Sequence, residues 1–159
     1  THQAPLYPGT GYLDETGVGD GSGFNANFPL PPGSGDQALL TVLEDLILPL
    51  LTRYQPDMIL ISYGFDPHWS DPLGQLLWSA DGIYTSIKLI GQLAETCCQG
   101  KVAVFLEGGY NLEAGSACTL GVTAALLNQP FSDPLGKAPY SETQTWRQMV
   151  AKAKRIWGL

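Results

Sequence analysis

Met58-Ile59-Leu60-Ile61-Ser62-Tyr63-Gly64-Phe65-Asp66-Pro67 decides the fold class of this chain. A short apolar run closes on glycine and is followed, after a loop, by a helical pattern. Val102-Ala103-Val104-Phe105-Leu106-Glu107-Gly108-Gly109-Tyr110-Asn111 repeats that form. Such runs predict strands of a parallel sheet buried on both faces. In open α/β sheets ligands sit just beyond the carboxyl ends of the strands. Those ends carry a carboxylate, Asp66, and a phenol, Tyr110.

Outward from these runs, the pattern alternates. Leu39, Leu40, Leu43, Leu46, Ile47, Leu50 and Leu51 recur at steps suited to an amphipathic helix over about 36–54, which Pro49 should kink. Ser79 is placed to cap a second helix running to about Cys98, with Ile83, Ile87, Ile90 and Leu93 inward; Gly100 ends it. A third helix is expected over about 112–127. Strand and helix therefore alternate as in a parallel α/β sheet. Residues 1–35 are rich in glycine and proline but interleaved with Tyr7, Tyr12, Phe24 and Phe28, which predicts an ordered loop with a strand over Asn25–Leu30. Gly33-Ser34-Gly35-Asp36 reads as a turn and N-cap. Residues 129–159 read as a connector and a last helix, with Ser141 and Gln144 as a capping box, Trp146 and Trp157 on one face, and Lys152, Lys154 and Arg155 at the carboxyl end, where they favour the helix dipole. Only three strands are legible, so the sheet is expected to keep open edges.

At 159 residues this is one domain's worth of chain. Apolar residues make up 44% and charged residues only 14%, which suits a chain whose surface is partly covered by more of the same protein or by a partner. The net charge of −7 leaves no basic face for a nucleic-acid backbone. Cys97, Cys98 and Cys118 show no framework spacing, so a reducing, cytoplasmic setting is expected. No apolar run reaches membrane-spanning length. The chain opens on Thr1-His2-Gln3 without an initiator Met, as the carboxyl-terminal part of something longer would.

Three side chains carry candidate chemistry. Asp66 follows a buried strand and lies about a dozen residues before the next helix, so it caps none. It suits a metal ligand or an acid/base, or else an aspartate ordering its own loop. Tyr110, behind Gly108-Gly109, suits a hydrogen-bond donor to an oxyanion, or an aromatic packed on the next helix. Glu107 is an acid/base or a partner of backbone amides. His68 reads as a surface-loop histidine, Asp71 as a turn residue, and His2 is not expected to be a ligand.

Together, Pro8-Gly9-Thr10-Gly11, Gly64-Phe65-Asp66, Asp71-Pro72-Leu73-Gly74 and Leu106-Glu107-Gly108-Gly109-Tyr110-Asn111-Leu112 resemble, in order, the carboxyl-terminal part of a histone deacetylase family protein. The similarity spans about residues 1–128 and is strongest to class II-like and bacterial members, among them acetylpolyamine amidohydrolases and acetoin-utilisation proteins. It implies a three-layer arginase/deacetylase-like α/β fold with a central parallel sheet. It implies zinc-dependent hydrolysis of an N-acetyl-lysine-type amide or an acetylated polyamine, with K+ a further candidate ion. By the resemblance Asp66 is one of three zinc ligands and Tyr110 the oxyanion-stabilising phenol; tyrosine at that position is the version associated with efficient deacetylation. Tyr7 walls the acyl-lysine tunnel, where the family more often has Phe. Leu73 lies near the tunnel floor, and Gly109 borders the acyl group through its backbone. The family's tandem histidines and its Asp-x-His ligand pair have no counterpart here; Asp66-Pro67-His68 overlaps the Gly-Phe-Asp motif and is a coincidence of spelling. One carboxylate cannot hold catalytic zinc, which takes about three protein ligands. The expectation is therefore an enzyme portion inactive alone and completed by an amino-terminal half of the same protein. The alternative is a non-catalytic deacetylase-like module that packs on a partner or a second copy.

Overall fold

In the computed structural model, which describes residues 1–159, the chain runs β1 (His2–Gln3), β2 (Pro29–Leu30), α1 (Asp36–Val42), α2 (Leu48–Tyr54), β3 (Ile59–Tyr63), α3 (Ala80–Cys98), β4 (Val102–Leu106), α4 (Leu112–Leu126) and α5 (Trp146–Trp157). β3 and β4 pair in parallel, from Ile59 opposite Val102 to Tyr63 opposite Leu106. Parallel neighbours need a crossover, and α3 supplies it. The Ser79 hydroxyl accepts from the Gly82 amide at 3.1 Å and starts that helix. Gln99 in the left-handed region and Gly100 at φ +73° end it. Ile83, Ile87, Ile90 and Ala94 form its buried stripe; Ala94 takes the innermost place where Leu93 was expected.

The two-faced burial expected of β3 and β4 is not found. Ile59, Ile61 and Val104 turn toward the core, while Leu60 (63% exposed) and Phe105 (54% exposed) lie bare on the other face. No element of this chain covers that side. Nor do three strands share one sheet: β2 pairs with β1, His2 opposite Pro29 and Gln3 opposite Leu30. The strand expected over Asn25–Leu30 shrinks to Pro29–Leu30, because the Asn25 and Asn27 side-chain amides donate to the Glu15 carbonyl at 2.7 and 2.9 Å and hold their segment as loop. The Glu15 carboxylate in turn accepts from the Gly11 and Tyr12 amides. The glycine-rich stretch is ordered by its own hydrogen bonds, as the interleaved aromatics suggested.

The helical pattern over 36–54 is one run with a widened turn. Leu43–Ile47 form a π-turn, and the Leu48 amide donates to Leu43, five residues back. Pro49 follows at the start of α2. A proline ring collides with the carbonyl four residues earlier in a regular helix, and the wider turn relieves that collision where a kink was expected.

Gly35, within the expected turn, is the N-cap of α1, and it caps without a side chain. The Asp36 carboxylate instead accepts from the Ser79 amide and hydroxyl, at 2.8 and 2.6 Å, tying α1 to the start of α3. The free amides of α1 are taken by Glu142, whose oxygens lie 3.0 Å from Gln37 N and 2.8 Å from Ala38 N. No capping box forms at α5: the helix begins at Trp146, Thr145 gives no side-chain cap, and Gln144 accepts from Arg147 Nε. α5 is seated by buried Trp146, Val150 and Ala153, with Trp157 half-buried on the same core. Lys154 pairs with Asp45 at 2.9 Å, and Arg53 donates to the Trp157 carbonyl. No helix is long and apolar enough to cross a membrane.

Because Glu142 caps α1 from far along the chain, Glu142→Ala should cost about 1 kcal/mol of stability, the scale of a lost N-cap. Urea denaturation checks this. An unchanged midpoint would show that Glu142 does not hold the helix.

Candidate functional site

The parallel register ends β3 and β4 level with each other, so their loops leave side by side. The ladder continues a step into them: Glu107 N–H donates to the Tyr63 carbonyl at 3.2 Å and Phe65 N–H to the Gly108 carbonyl at 2.8 Å. Phe65 is buried and anchors the first loop. The next residue, Asp66, is half-buried and faces outward from that anchor.

Asp66 stands in a cradle of glycine. A Cβ at either Gly64 or Gly108 would overlap its Oδ1. The glycines are needed there for close approach. Asp71, five residues on, takes backbone amide hydrogens on both of its oxygens; the Asp66 carboxylate takes none from the chain. An ionised carboxylate only accepts. A carboxylate in a tight cradle with its lone pairs unused is suited to a cation or a proton.

Asp66 borders a cavity of about 390 Å3. Tyr7, His2, Glu107, Gly108 and Gly74 line it with Asp66, and Leu39, Ile61, Leu76 and Ile90 supply apolar wall. His2 had not been expected at a site. Its Nε2 is buried without a hydrogen-bond partner, close to Gly11. Burial lowers its pKa, so the ring is neutral near pH 7.

The five expected site residues divide. Asp66 and Tyr7 line the cavity; Tyr110, Leu73 and Gly109 do not. Tyr110 is 60% exposed, and its side chain makes no hydrogen bond. It neither packs away under α4 nor enters the cavity. Its amide donates to Asp71 Oδ2 at 2.7 Å. Leu73, also 60% exposed, donates its amide to Asp71 Oδ1 at 2.9 Å. Gly109 sits at φ +125°, with room for no Cβ beyond 2.9 Å from that of Phe65. Asp71 is thus a turn residue, as expected, and also the join between the two loops.

Two other expectations are corrected. His68 is not a surface histidine: it is fully buried, tilted against Trp69, with Nδ1 3.0 Å from the Ser70 hydroxyl. Burial lowers its pKa. Trp69 packs against the ring, and a backbone bridge to Trp78 holds the segment inward. Glu107 lines the cavity, but its carboxylate holds no backbone amide. No group of three His, Cys, Asp or Glu side chains is placed to hold a metal by itself.

The family model described as "Histone deacetylase domain" matches residues 1–126. A "Probable deacetylase" of Archaeoglobus fulgidus is 39% identical over 149 residues, covering 93% of this chain and 42% of that protein. The chloroplastic histone deacetylase 14 of Arabidopsis thaliana is 46% identical over 129 residues, 81% of this chain and 30% of the relative. Among solved structures, the HDA15 HD domain superposes with a TM-score of 0.82 at 32% identity, covering 96% of this chain and 40% of that one. The chain thus spans less than half the length of these relatives.

Gly109→Ala should destabilise the protein by more than about 1 kcal/mol, since it combines an unfavourable φ with a clash. Gly115→Ala, in open space on α4, should instead stabilise by about 0.5–1 kcal/mol. Equal midpoints for the two variants in urea would contradict the crowding seen at Gly109.

Proposed function

The chain belongs to the histone deacetylase family, and from that premise we propose that it carries part of the active site of a zinc-dependent amidohydrolase acting on N-acetyl-lysine or acetylated polyamine substrates. The observation that carries this is the Asp66 carboxylate, held at a strand end between two glycines with no protein hydrogen spent on it.

That carboxylate fits a zinc ligand: it is unpaired and on the cavity wall. Zinc bound there supplies Lewis-acid polarisation of the scissile carbonyl. Catalytic zinc takes about three protein ligands, so we assign the other ligands, and the histidine that takes a proton from water, to residues outside these 159, in the same protein. By itself this chain is then inactive. Its bare sheet face suits the competing reading, a non-catalytic module.

Tyr110 is the proposed electrophilic partner. As water adds to the amide carbonyl, the oxygen gains negative charge. A phenol O–H aimed at that oxygen stabilises the charge without burying an ion of its own. Its exposed ring has no competing hydrogen bond to break. Tyr7 is proposed to flank the acyl-lysine chain, Leu73 to lie near the tunnel floor, and Gly109 to border the acyl group through backbone. No charged side chain is needed at those three positions, because a neutral acetyl amide on a methylene stem is recognised by apolar contact.

The test uses the polypeptide as its gene encodes it, with an N-acetyl-lysine peptide and an acetylpolyamine as substrates. Tyr110→Phe should lower kcat by about 100- to 1,000-fold, the scale of one lost oxyanion donor, with zinc content unchanged. Asp66→Ala should abolish activity together with zinc stoichiometry, and a chelator should do the same to the unaltered protein. Full activity in either variant would refute the assignment. An encoded polypeptide that binds no zinc would favour the non-catalytic module.

A further inference from the structure

We propose that Asp71 is a positioning residue for this reaction: it sets where the Tyr110 hydroxyl stands relative to Asp66. The proposal rests on the reading of Tyr110 as oxyanion donor.

The two strand-end loops are joined residue to residue. Asp71 Oδ2 accepts from Tyr110 N–H at 2.7 Å. Its neighbour Ser70 accepts, on carbonyl and hydroxyl, from Asn111 Nδ2 at 2.9 and 3.1 Å. Consecutive residues of one loop thus hold consecutive residues of the other. Behind them the Ser70 hydroxyl is braced by His68 Nδ1 at 3.0 Å, and His68 is fully buried. Asp71 itself is 8% exposed. An ordinary aspartate turn spends one oxygen, and here Oδ1 is so spent on Leu73 and Gly74. The bond from Oδ2 crosses to a residue 39 positions away and does nothing for the turn.

Tyr110 needs such a hold. It follows two glycines, the second at positive φ, and the last ladder bond, at Gly108, lies two residues before it; glycine itself does little to set the direction of the chain beyond that point. Its ring is exposed and makes no hydrogen bond, so nothing at its far end fixes it. Its place is set by its own backbone, and the charge-assisted bond to Asp71 fixes that backbone. Through the same carboxylate, the loop that carries Asp66 defines the location of the phenol. A misplacement of about 1 Å in a reacting group costs on the order of 100-fold in rate.

Asp71→Asn separates positioning from folding. The amide keeps one acceptor oxygen and turns a donor toward either the Tyr110 or the Leu73 amide. Asn111→Asp is the second variant: it keeps the acceptor that caps α4 at Glu113 and Ala114 and loses the donor to Ser70. Each is measured on an N-acetyl-lysine peptide, in the zinc-loaded polypeptide as encoded, alone and combined with Tyr110→Phe. We expect Asp71→Asn to lower kcat by about 10- to 100-fold with KM changed less than about threefold, and Asn111→Asp to act in the same direction. In the Tyr110→Phe background each should lower kcat by less than about threefold, because there is no hydroxyl left to misplace. Equal factors in both backgrounds would overturn the proposal and leave the role of Tyr110 intact. Tyr110→Phe without effect would overturn both. If Asp71→Asn fails to fold, the Asn111→Asp cycle decides by the same criterion.

Discussion

The level ending of two parallel strands is the constraint on which the rest depends. Tyr63 stands opposite Leu106, so the chain leaves β3 and β4 at one height and the following loops must run beside each other. Backbone bonds extend the pairing to Phe65 and Gly108. Everything chemical in this chain lies within a few residues of that point. A slip of one residue in the register would turn Ile61 and Tyr63 away from the core and carry Asp66 off its glycines. The register is itself specified by one buried face: Ile59, Ile61 and Val104 against the stripe of α3.

The elements were legible in the sequence where local chemistry decides them. Ser79 caps the helix it precedes, and the apolar spacing from Ile83 to Ile90 marks the inner face of α3. What was not legible depends on partners far along the chain. The turn at Gly33–Asp36 marks the start of α1, but the carboxylate that takes its free amides is Glu142, more than a hundred residues on. Ser141 and Gln144 spelled a capping box, but Gln144 is engaged by Arg147. His68 reads as a loop histidine until Trp69 packs on its ring and a backbone bridge ties it to Trp78. Composition alone cannot say that a polar ring is buried when the groups that bury it are aromatic neighbours in its own loop.

The site was half legible. Asp66 stood out because no helix needed it as a cap, and Gly64 and Gly108 explain why it stands free. Tyr110 was expected to share a pocket with it; the structure places the phenol on the adjoining loop, exposed, and outside the cavity that Asp66 lines. The connection between them is Asp71, which the sequence marks only as an aspartate before Pro72. Its second oxygen, bonded across the loops, has no sequence signature. The one bare face of the β3–β4 pair carries the same lesson. Continuous apolar runs announce burial on both sides, and these 159 residues supply cover for one.

The claim at the centre of this account is that the ends of β3 and β4 serve one amide. The most direct measurement is a crystal structure of the encoded polypeptide, as the Tyr110→Phe variant, with an N-acetyl-lysine peptide bound. The account predicts the acetyl carbonyl between the Asp66 carboxylate and the ring of residue 110, with Tyr7 along the lysine stem. An acetyl group seated elsewhere, or one touched by residue 110 and remote from Asp66, would contradict it.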